Sequence, residues 1–342
     1  MLLQKRISIL ILIALLVLTV GIWFYFLLHQ PVVPPRSLLL YTNYESPKTI
    51  TNWIIDTETH EKWEVGKGLW SSGWSPLGKH IAFHTLSPSP FEIWISDKAG
   101  KNIQKAFSEM NYPGLQVKNY DWLSEQIIIM NVEDKNNPRG GGTYLLNLDN
   151  GSFTLRANGN IFMNVSPNGD FWLQYESLYK YRLVDTNGTT IPIPIVLGDG
   201  YFSPDGNTLA YSCPGKYKFS SLCIIDINMT GITNERKVTV DAFLNSSGEH
   251  WWSPDGKYLG FMDSPNHEER FRAIDVSNGA TVYDWPFPTK TSRNFWSPRG
   301  DKIVDYDGLL LDLKTGQVSN FFTDINETTP SHIVDWRLIA TP

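Results

Sequence analysis

The stretch Trp252-Ser253-Pro254-Asp255-Gly256-Lys257-Tyr258-Leu259-Gly260-Phe261 predicts a β-hairpin. Pro254 presets φ for the first central position of a type I turn, and Gly256 takes the left-handed conformation that returns the chain to a strand. The apolar and aromatic residues that follow begin the new strand. Trp252 ends the strand before the turn, where its ring can pack against a neighbouring sheet.

Copies of this turn recur along the chain, and each follows an aromatic or apolar residue. The residues in that position are Trp74, Trp122, Val165, Phe202, Trp252, Trp296 and Trp336. The Ser-Pro-x-Gly turn is present after five of them, degenerate after Trp122 and absent after Trp336. Successive copies are 37 to 50 residues apart. A repeat of roughly 40–45 residues built from four short strands is the size of one β-propeller blade.

A second signal has the same count and consists of an apolar strand that ends on Asp or Asn. The residues in that position are Asp56, Asp97, Asn147, Asp185, Asp226, Asp275 and Asp312. Most are followed within a few residues by a glycine, namely Gly100, Gly151, Gly188, Gly231, Gly279 and Gly316. An Asp side chain bonds the backbone ahead of it, and Gly accepts positive φ. We therefore expect one hairpin between the third and fourth strand of each blade.

Together the repeats predict an all-β fold, a seven-bladed β-propeller over residues 37–342. The first repeat holds only three strands, near Leu38–Tyr41, Trp53–Ile55 and Trp63–Val65, and the last holds one, Ile333–Leu338. We expect the C-terminal strand to join the N-terminal blade. This would close the ring and remove the exposed edge of an open sheet.

The N-terminal 36 residues have a different character from the rest of the chain. Residues 1–6 contain Lys5 and Arg6, and residues 7–28 are uncharged and almost wholly apolar, about 33 Å long as a helix. This pattern predicts a cytoplasmic head, a single transmembrane signal anchor and an extracytoplasmic propeller, periplasmic or extracellular, joined by a Pro-rich linker at 29–36. The alternative is a signal peptide that is cleaved.

Two cysteines, Cys213 and Cys223, bracket a predicted loop between the second and third strands of the fifth blade. Outside the cytoplasm such a pair is expected to form a disulfide, whereas in a reducing compartment the two would be buried thiols. Given the predicted anchor, we expect the disulfide.

Charge and motifs exclude several classes of function. The chain has 29 Lys and Arg against 35 Asp and Glu, so no nucleic-acid partner is expected. The motif His267-Glu268-Glu269-Arg270-Phe271 has Phe where a zinc protease needs its second His, and no Gly-x-Ser-x-Gly occurs. We therefore expect no catalytic set, no metal site and no cofactor.

The repeat resembles the TolB-type propeller repeat, most closely at Trp252–Phe261 and Phe202–Tyr211. Similar propellers gate the hydrolase domain of dipeptidyl-peptidase-like enzymes, and TolB carries an α/β domain before its propeller; neither domain is recognisable in this sequence. The resemblance implies a non-catalytic binding or scaffold module for a protein, peptide or glycan. The alternative is an enzyme that uses the central channel, for example a glycan-directed hydrolase or lyase.

We expect the binding face at the rim where loops enter each first strand and connect each second strand to the third, because loops on a rigid scaffold carry binding residues. Aromatic and cationic side chains of that rim are typical of interface hot spots. The candidate binding residues are Trp70, Tyr112, Arg139, Tyr217, Phe243, His250, His267 and Arg270.

Overall fold

Antiparallel β-strands make up most of the described chain. The computed structural model describes residues 34–46, 49–85, 90–137, 141–158, 161–177, 180–192, 200–213, 221–228, 231–240, 252–263, 269–289, 294–328 and 331–339. In the first half the strands are β1 (Arg36–Ser46), β2 (Thr49–Asp56), β3 (Lys62–Val65), β4 (Trp70–Trp74), β5 (His80–His84), β6 (Glu92–Asp97), β7 (Gln104–Ser108), β8 (Leu115–Trp122), β9 (Ile127–Asp134), β10 (Gly142–Asn147), β11 (Phe153–Asn158), β12 (Ile161–Val165) and β13 (Phe171–Ser177). In the second half they are β14 (Lys180–Asp185), β15 (Thr190–Pro192), β16 (Gly200–Phe202), β17 (Thr208–Cys213), β18 (Ser221–Asn228), β19 (Gly231–Val240), β20 (Tyr258–Asp263), β21 (Arg270–Asp275), β22 (Thr281–Pro286), β23 (Asn294–Trp296), β24 (Lys302–Asp305), β25 (Leu309–Asp312), β26 (Val318–Asn320) and β27 (Ser331–Ile339). A 3-10 helix, Glu109–Asn111, and a four-residue helix α1, Phe321–Asp324, complete the regular elements of these ranges.

The strands form seven antiparallel sheets, which are the predicted blades. Blade 1 holds β27 and β1–β3, blade 2 β4–β7, blade 3 β8–β11, blade 4 β12–β15, blade 5 β16–β19, blade 6 β20–β22 and blade 7 β23–β26. Blade 6 has three described strands, and Trp252 forms an isolated bridge with Leu259 where the other blades have their innermost strand. The prediction of an all-β, seven-bladed propeller is confirmed.

The ring closes through the pairing of β27 with β1. Their antiparallel register runs from Arg36 opposite Ile339 to Asn43 opposite Ser331. β27 is thereby the innermost strand of a sheet whose other three strands come from the beginning of the propeller, in the order β27-β1-β2-β3. Closure by the C-terminal strand, as predicted from three strands plus one, is confirmed.

The repeated Ser-Pro-x-Gly turn has the predicted hairpin geometry. In blade 6, the Gly256 N–H donates to the Ser253 carbonyl at 2.8 Å, and Gly256 has φ of 71°. The Ser253 hydroxyl is buried, accepts from the Tyr258 N–H at 2.8 Å and donates to Asp255 Oδ1 at 2.6 Å. Equivalent serines, Ser75, Ser166, Ser203 and Ser297, are also buried, and each accepts the corresponding backbone N–H. The serine of the repeat is therefore an internal anchor of the turn.

The strand-ending Asp and Asn residues begin the outer hairpins, as predicted. In blade 4, Asp185 Oδ1 accepts the N–H groups of Asn187 at 2.9 Å and Thr189 at 2.7 Å. Blade 5 differs: β18 continues to Asn228, so Asp226 lies inside the strand and accepts from the Asn234 side chain instead.

Hydrophobic clusters fill the spaces between neighbouring blades, and seven clusters serve the seven interfaces. Between blades 1 and 2, Leu40 and Ile54 pack with Trp74 and Phe83. Trp74 precedes the turn of blade 2, and the residue in that position packs against the preceding blade at each of the seven interfaces. The core is therefore a ring of inter-blade layers, all within the compact unit Arg36–Ile339.

The disulfide between Cys213 and Cys223 is present, and its Cα atoms are 5.8 Å apart. Cys213 lies opposite Ser221 and Cys223 opposite Tyr211, so the bond joins the adjacent strands β17 and β18 at a diagonal position. Both cysteines are buried. The sequence prediction for this pair is confirmed.

The predicted head at 1–6, the predicted membrane span at 7–28 and most of the linker at 29–36 lie outside the described residues. Within the part of the chain that is described, no helix combines the length and apolar character needed to cross a bilayer.

One blade takes the carboxylate of its turn from a neighbour. In blade 2, Leu77 stands where the repeat has Asp, and Glu125 of blade 3 is in its place. Glu125 is 6% exposed, accepts the Ser75 hydroxyl at 2.8 Å and accepts the Leu77 N–H at 2.5 Å. The degenerate turn after Trp122 thus supplies the group that the turn after Trp74 lacks.

We predict that Glu125→Ala lowers the free energy of unfolding by about 1.5–3 kcal/mol, because it leaves the buried Ser75 hydroxyl without its charged acceptor. Adding Leu77→Asp, which rebuilds the local carboxylate at an exposed position, should recover part of that loss. Chemical denaturation measures both. The exposed Glu64→Ala is the control, expected within about 0.5 kcal/mol of the parent. Equal stability of the parent and the Glu125→Ala variant would contradict this account of the turn.

Candidate functional site

A cavity of about 620 Å³ lies where the innermost strands converge. Residues of β4, β8, β12, β16, β23 and β27 line it, so it is the central cavity of the propeller. Its volume is within the range of roughly 300–1,000 Å³ that is usual for ligand pockets. The innermost strands therefore enclose a space of the size that a small ligand or a chain segment needs.

Seven aromatic rings form a continuous arc at one mouth of this cavity, and we call them the aromatic arc. In spatial order they are Phe91, Tyr120, His84, Trp70, Tyr44, His332 and Tyr306, with neighbouring ring centroids 4.2 to 6.5 Å apart. All except Phe91 line the cavity directly. The arc draws on blades 1, 2, 3 and 7.

The arc lies at the rim where first strands begin and where second strands connect to third strands. Trp70 opens β4, and His332 is the second residue of β27. His84 ends β5, Tyr44 lies near the end of β1, and Tyr306 follows the end of β24. The sequence predicted ligand binding at this rim. Of the seven residues of the aromatic arc, however, only Trp70 was among the predicted binding residues.

A bulge in β4 presents Ser72 to the arc. The register of β4 with β5 shifts between Ser71 and Gly73, and Gly73 has φ of 100°. A Cβ atom at Gly73 would also come within 3.0 Å of Asp335 Oδ2. Glycine is needed here for both reasons, and the result is that the Ser72 side chain is exposed at the cavity wall.

Ser72 joins two ring residues in a small hydrogen-bonding triangle. Ser72 Oγ is 2.6 Å from the Tyr120 hydroxyl oxygen and 3.1 Å from His84 Nδ1, and the last two atoms are 3.2 Å apart. Burial lowers the pKa of His84 to about 4 and raises the pKa of Tyr120 above its ordinary value. At neutral pH the triangle therefore consists of uncharged groups that both donate and accept.

The other end of the arc is built around His332. Its ring stacks on Tyr306 at 4.2 Å, meets Tyr44 edge-on at 4.9 Å, and Nδ1 lies 3.0 Å from Asp307 Oδ1. Burial, followed by the neighbouring Tyr306 hydroxyl, raises the pKa of Tyr44. Asp307 thus fixes the orientation of the imidazole, and Tyr44 stays protonated at neutral pH.

Beyond the arc, the cavity wall carries carboxylates that are held by neighbouring groups. Asp335 Oδ2 accepts from Arg337 Nε at 2.9 Å and from the Trp74 N–H at 3.1 Å. Asp121 Oδ1 accepts the Trp122 N–H at 2.7 Å. Across the described ranges, no group of three or more His, Cys, Asp or Glu side chains is arranged to hold a metal ion.

Of the residues predicted from sequence, Trp70 belongs to the arc. Tyr112 instead stacks on Phe107 in the packing between blades 2 and 3, and Arg270 pairs with Asp284 at 2.7 Å in blade 6; neither lines the central cavity. The remaining candidates lie outside the described residues and stay predictions: Arg139, Tyr217, Phe243, His250 and His267.

Sequence reasoning missed most of the arc because it searched loops, whereas these side chains belong mainly to strands. Ser72 and Tyr120 each precede the turn-associated Trp by two residues, at Trp74 and Trp122. No short sequence pattern indicates that aromatic side chains from blades 1, 2, 3 and 7 become neighbours, because their contact depends on closure of the propeller.

Comparison with known proteins gives a fold and no family. No family model matches the chain. A putative carnobacteriocin-B2 immunity protein of Carnobacterium maltaromaticum is 43% identical over 51 residues, which are 15% of this chain and 44% of that protein. The chain thus matches less than half the length of that curated relative.

Similar solved structures are propellers at low identity. An oligogalacturonate lyase of Vibrio parahaemolyticus has a TM-score of 0.55 and 12% identity over 78% of this chain and 87% of its own. A putative 6-phosphogluconolactonase of Bacteroides fragilis has a TM-score of 0.54 and 12% identity over 90% and 99%. TolB of Acinetobacter baumannii has a TM-score of 0.49 and 14% identity over 72% and 62%. These likenesses show the fold alone, so membership of the TolB-type family stays a prediction.

The lowered pKa of His84 predicts how stability depends on pH. In the unfolded chain this imidazole has a pKa of 6.5, so between pH 6.5 and about 4 the unfolded state takes up a proton that the folded state does not. Stability from this group is therefore complete above pH 6.5 and falls as the pH drops to about 4, by at most ~3 kcal/mol. Denaturation at stepped pH should show a shallower loss for His84→Gln than for the parent. Parallel pH profiles of the two proteins would refute the neutral, buried imidazole.

Proposed function

We propose that this chain is a membrane-tethered, TolB-type propeller on the extracytoplasmic side, and that it binds a protein, peptide or glycan without altering it chemically. The binding site is the mouth of the central cavity. The observation that carries this proposal is the aromatic arc, since six of its seven adjoining rings line the open cavity.

Partly exposed aromatic side chains supply large contact areas at small cost in conformational entropy, which is why they dominate binding hot spots. Trp70 lies near the middle of the arc, with His84 on one side and Tyr44 on the other. Its ring position is held by these neighbours before any ligand arrives. A preorganised surface of this kind binds with less loss of entropy than a flexible loop does.

Two features support the placement outside the cytoplasm. The Cys213–Cys223 disulfide is a bond that persists in oxidising compartments. The uncharged run at 7–28 follows Lys5 and Arg6, which the positive-inside rule assigns to the cytoplasm. Together they support a tether at the N-terminus with the propeller on the far side of the membrane.

An enzyme at the same cavity is the second candidate, and the contact between Ser72 and His84 is the observation that favours it. An imidazole 3.1 Å from a serine hydroxyl can take its proton when the serine attacks a substrate. The pKa of about 4 weighs against this role, because so weak a base is a poor proton acceptor at neutral pH. Among the described residues, no carboxylate hydrogen-bonds to the His84 ring.

A fluorophosphonate probe distinguishes the two candidates. In an enzyme of this type, Ser72 Oγ would attack phosphorus, fluoride would leave and the proton would pass to His84. We expect no labelling of Ser72 above that of an exposed serine such as Ser152. Labelling of the parent that disappears in His84→Gln would instead establish an activated serine and favour the enzyme.

For the binding role, a photoreactive amino acid placed at position 72 of the full chain in its native membrane should capture the ligand. Trp70→Ala is predicted to reduce that capture about tenfold or more, as loss of a central aromatic anchor does. The matched control is Trp94→Ala, which removes another half-buried Trp of blade 2 that is outside the cavity lining. The same photoreactive amino acid placed at exposed Val282 of β22 shows how much capture occurs at a surface position away from the cavity. Equal capture from both positions, or capture that Trp70→Ala leaves unchanged, would overturn the proposed site.

A further inference from the structure

We infer that the ligand of the aromatic arc is an uncharged carbohydrate chain, whose sugar rings stack on the arc and whose hydroxyl groups bond the triangle of Ser72, Tyr120 and His84. This inference rests on the proposed binding role of the cavity mouth and specifies its ligand. Three properties of the site carry it: the planes that the rings present, the kind of polar group beside them and the balance of charge.

The arc contains two stacked pairs of rings. Phe91 and His84 are nearly parallel, at 24°, and Trp70 is 31° from His84. Tyr306 and His332 form a second parallel pair, at 14°. A pyranose ring is a flat disc with C–H bonds on its faces, and these slightly positive hydrogens are attracted to the negative face of an aromatic ring. The outer face of each stacked pair is therefore the surface on which we place consecutive sugars of the chain.

The polar groups beside the rings match sugar hydroxyls. A sugar hydroxyl both donates and accepts, so it needs partners that can do the same. Ser72, Tyr120 and neutral His84 are such groups, and they lie within 2.6 to 3.2 Å of one another. A hydroxyl of the ligand can enter this network by replacing any one of the three hydrogen bonds between these side chains.

The charge of the site favours an uncharged ligand. The titratable and charged groups that face the cavity and its mouth are Tyr44, His84, Tyr120, Asp121, Tyr181, Tyr201, Tyr306, Asp307, His332, Asp335 and Arg337. Among the described lining residues, Arg337 is the one Lys or Arg side chain, and it is bonded to Asp335 and to the carbonyls of Ser75 and Pro76. An acidic sugar chain or a phosphorylated ligand would find no free cation there, and it would meet Asp121.

A test uses the full chain in lipid nanodiscs, because maltoside detergents carry sugar headgroups that would compete. Calorimetric titration with maltohexaose, cellohexaose and N-acetylchitohexaose covers three neutral chains, and hexagalacturonate is the acidic counterpart. We expect one neutral hexasaccharide at least to bind with 1:1 stoichiometry and a Kd below about 1 mM.

Variants place the binding at the arc. Trp70→Ala should weaken it at least tenfold and Tyr120→Phe about threefold or more, whereas the controls Trp94→Ala and Tyr112→Phe should leave it unchanged. Sugar binding that Trp70→Ala does not affect would overturn the inference, because the sugar would then bind elsewhere.

Two further outcomes separate this inference from the proposed function. Tighter binding of hexagalacturonate than of every neutral chain overturns the uncharged ligand and leaves the site in place. Failure of all three neutral hexasaccharides, together with a peptide or protein captured from position 72, also overturns the carbohydrate while the binding site stands. The site itself is removed only by capture that is independent of Trp70 or equal from positions 72 and 282.

Discussion

The pairing of β27 with β1 is the constraint on which the rest of this structure depends. A blade buries its faces only against the blades on either side, so a ring of seven has seven interfaces when it is closed and six when it is open. The strand that closes it also brings Ile333 and Trp336 into the cluster between blades 7 and 1. Without β27, the sheet β1–β3 would keep an unpaired inner edge, and the central cavity would lose one side of its wall.

The Ser-Pro-x-Gly turns of blades 2, 4, 5, 6 and 7 share one hydrogen-bonding arrangement around a buried serine, with local differences. The buried serine hydroxyl accepts a hydrogen bond from a backbone N–H of the turn. In three blades it also donates a hydrogen bond to a carboxylate, which belongs to Asp255 in blade 6, Asp205 in blade 5 and Asp301 in blade 7. Where the repeat loses its Asp, at Leu77, a glutamate from the next blade fills the role. In blade 4, where Asn168 stands in place of the Asp, the Ser166 hydroxyl donates to the Phe171 carbonyl at 3.0 Å. The turn therefore needs an acceptor for its serine hydroxyl, and either a carboxylate or a carbonyl supplies it.

The parts of the structure that could be predicted from sequence are those fixed by short-range geometry. The Ser-Pro-x-Gly turns, the hairpins after Asp56, Asp97 and Asp185, and the Cys213–Cys223 bond each depend on a few neighbouring residues. Closure followed from counting strands. The aromatic arc could not be found in this way, because Tyr120, Trp70 and Tyr306 are far apart in the chain and become neighbours only when blades 3, 2 and 7 surround one cavity. Trp70 and Tyr112 were both predicted to bind because each is an aromatic residue at the long-loop rim. Trp70 lines the cavity, whereas Tyr112 packs between blades 2 and 3.

Closure and the candidate site are linked through Gly73. The carboxylate of Asp335, on the closing strand, bonds the Trp74 N–H at 3.1 Å, and Arg337 on the same strand bonds the Ser75 carbonyl at 2.9 Å. These contacts hold β27 against β4 so closely that a Cβ at Gly73 would lie 3.0 Å from Asp335. The positive φ of Gly73 goes with the bulge that places Ser72 beside Tyr120 and His84. The strand that completes the ring therefore also contacts the bulge of β4 that places Ser72 in the triangle with Tyr120 and His84.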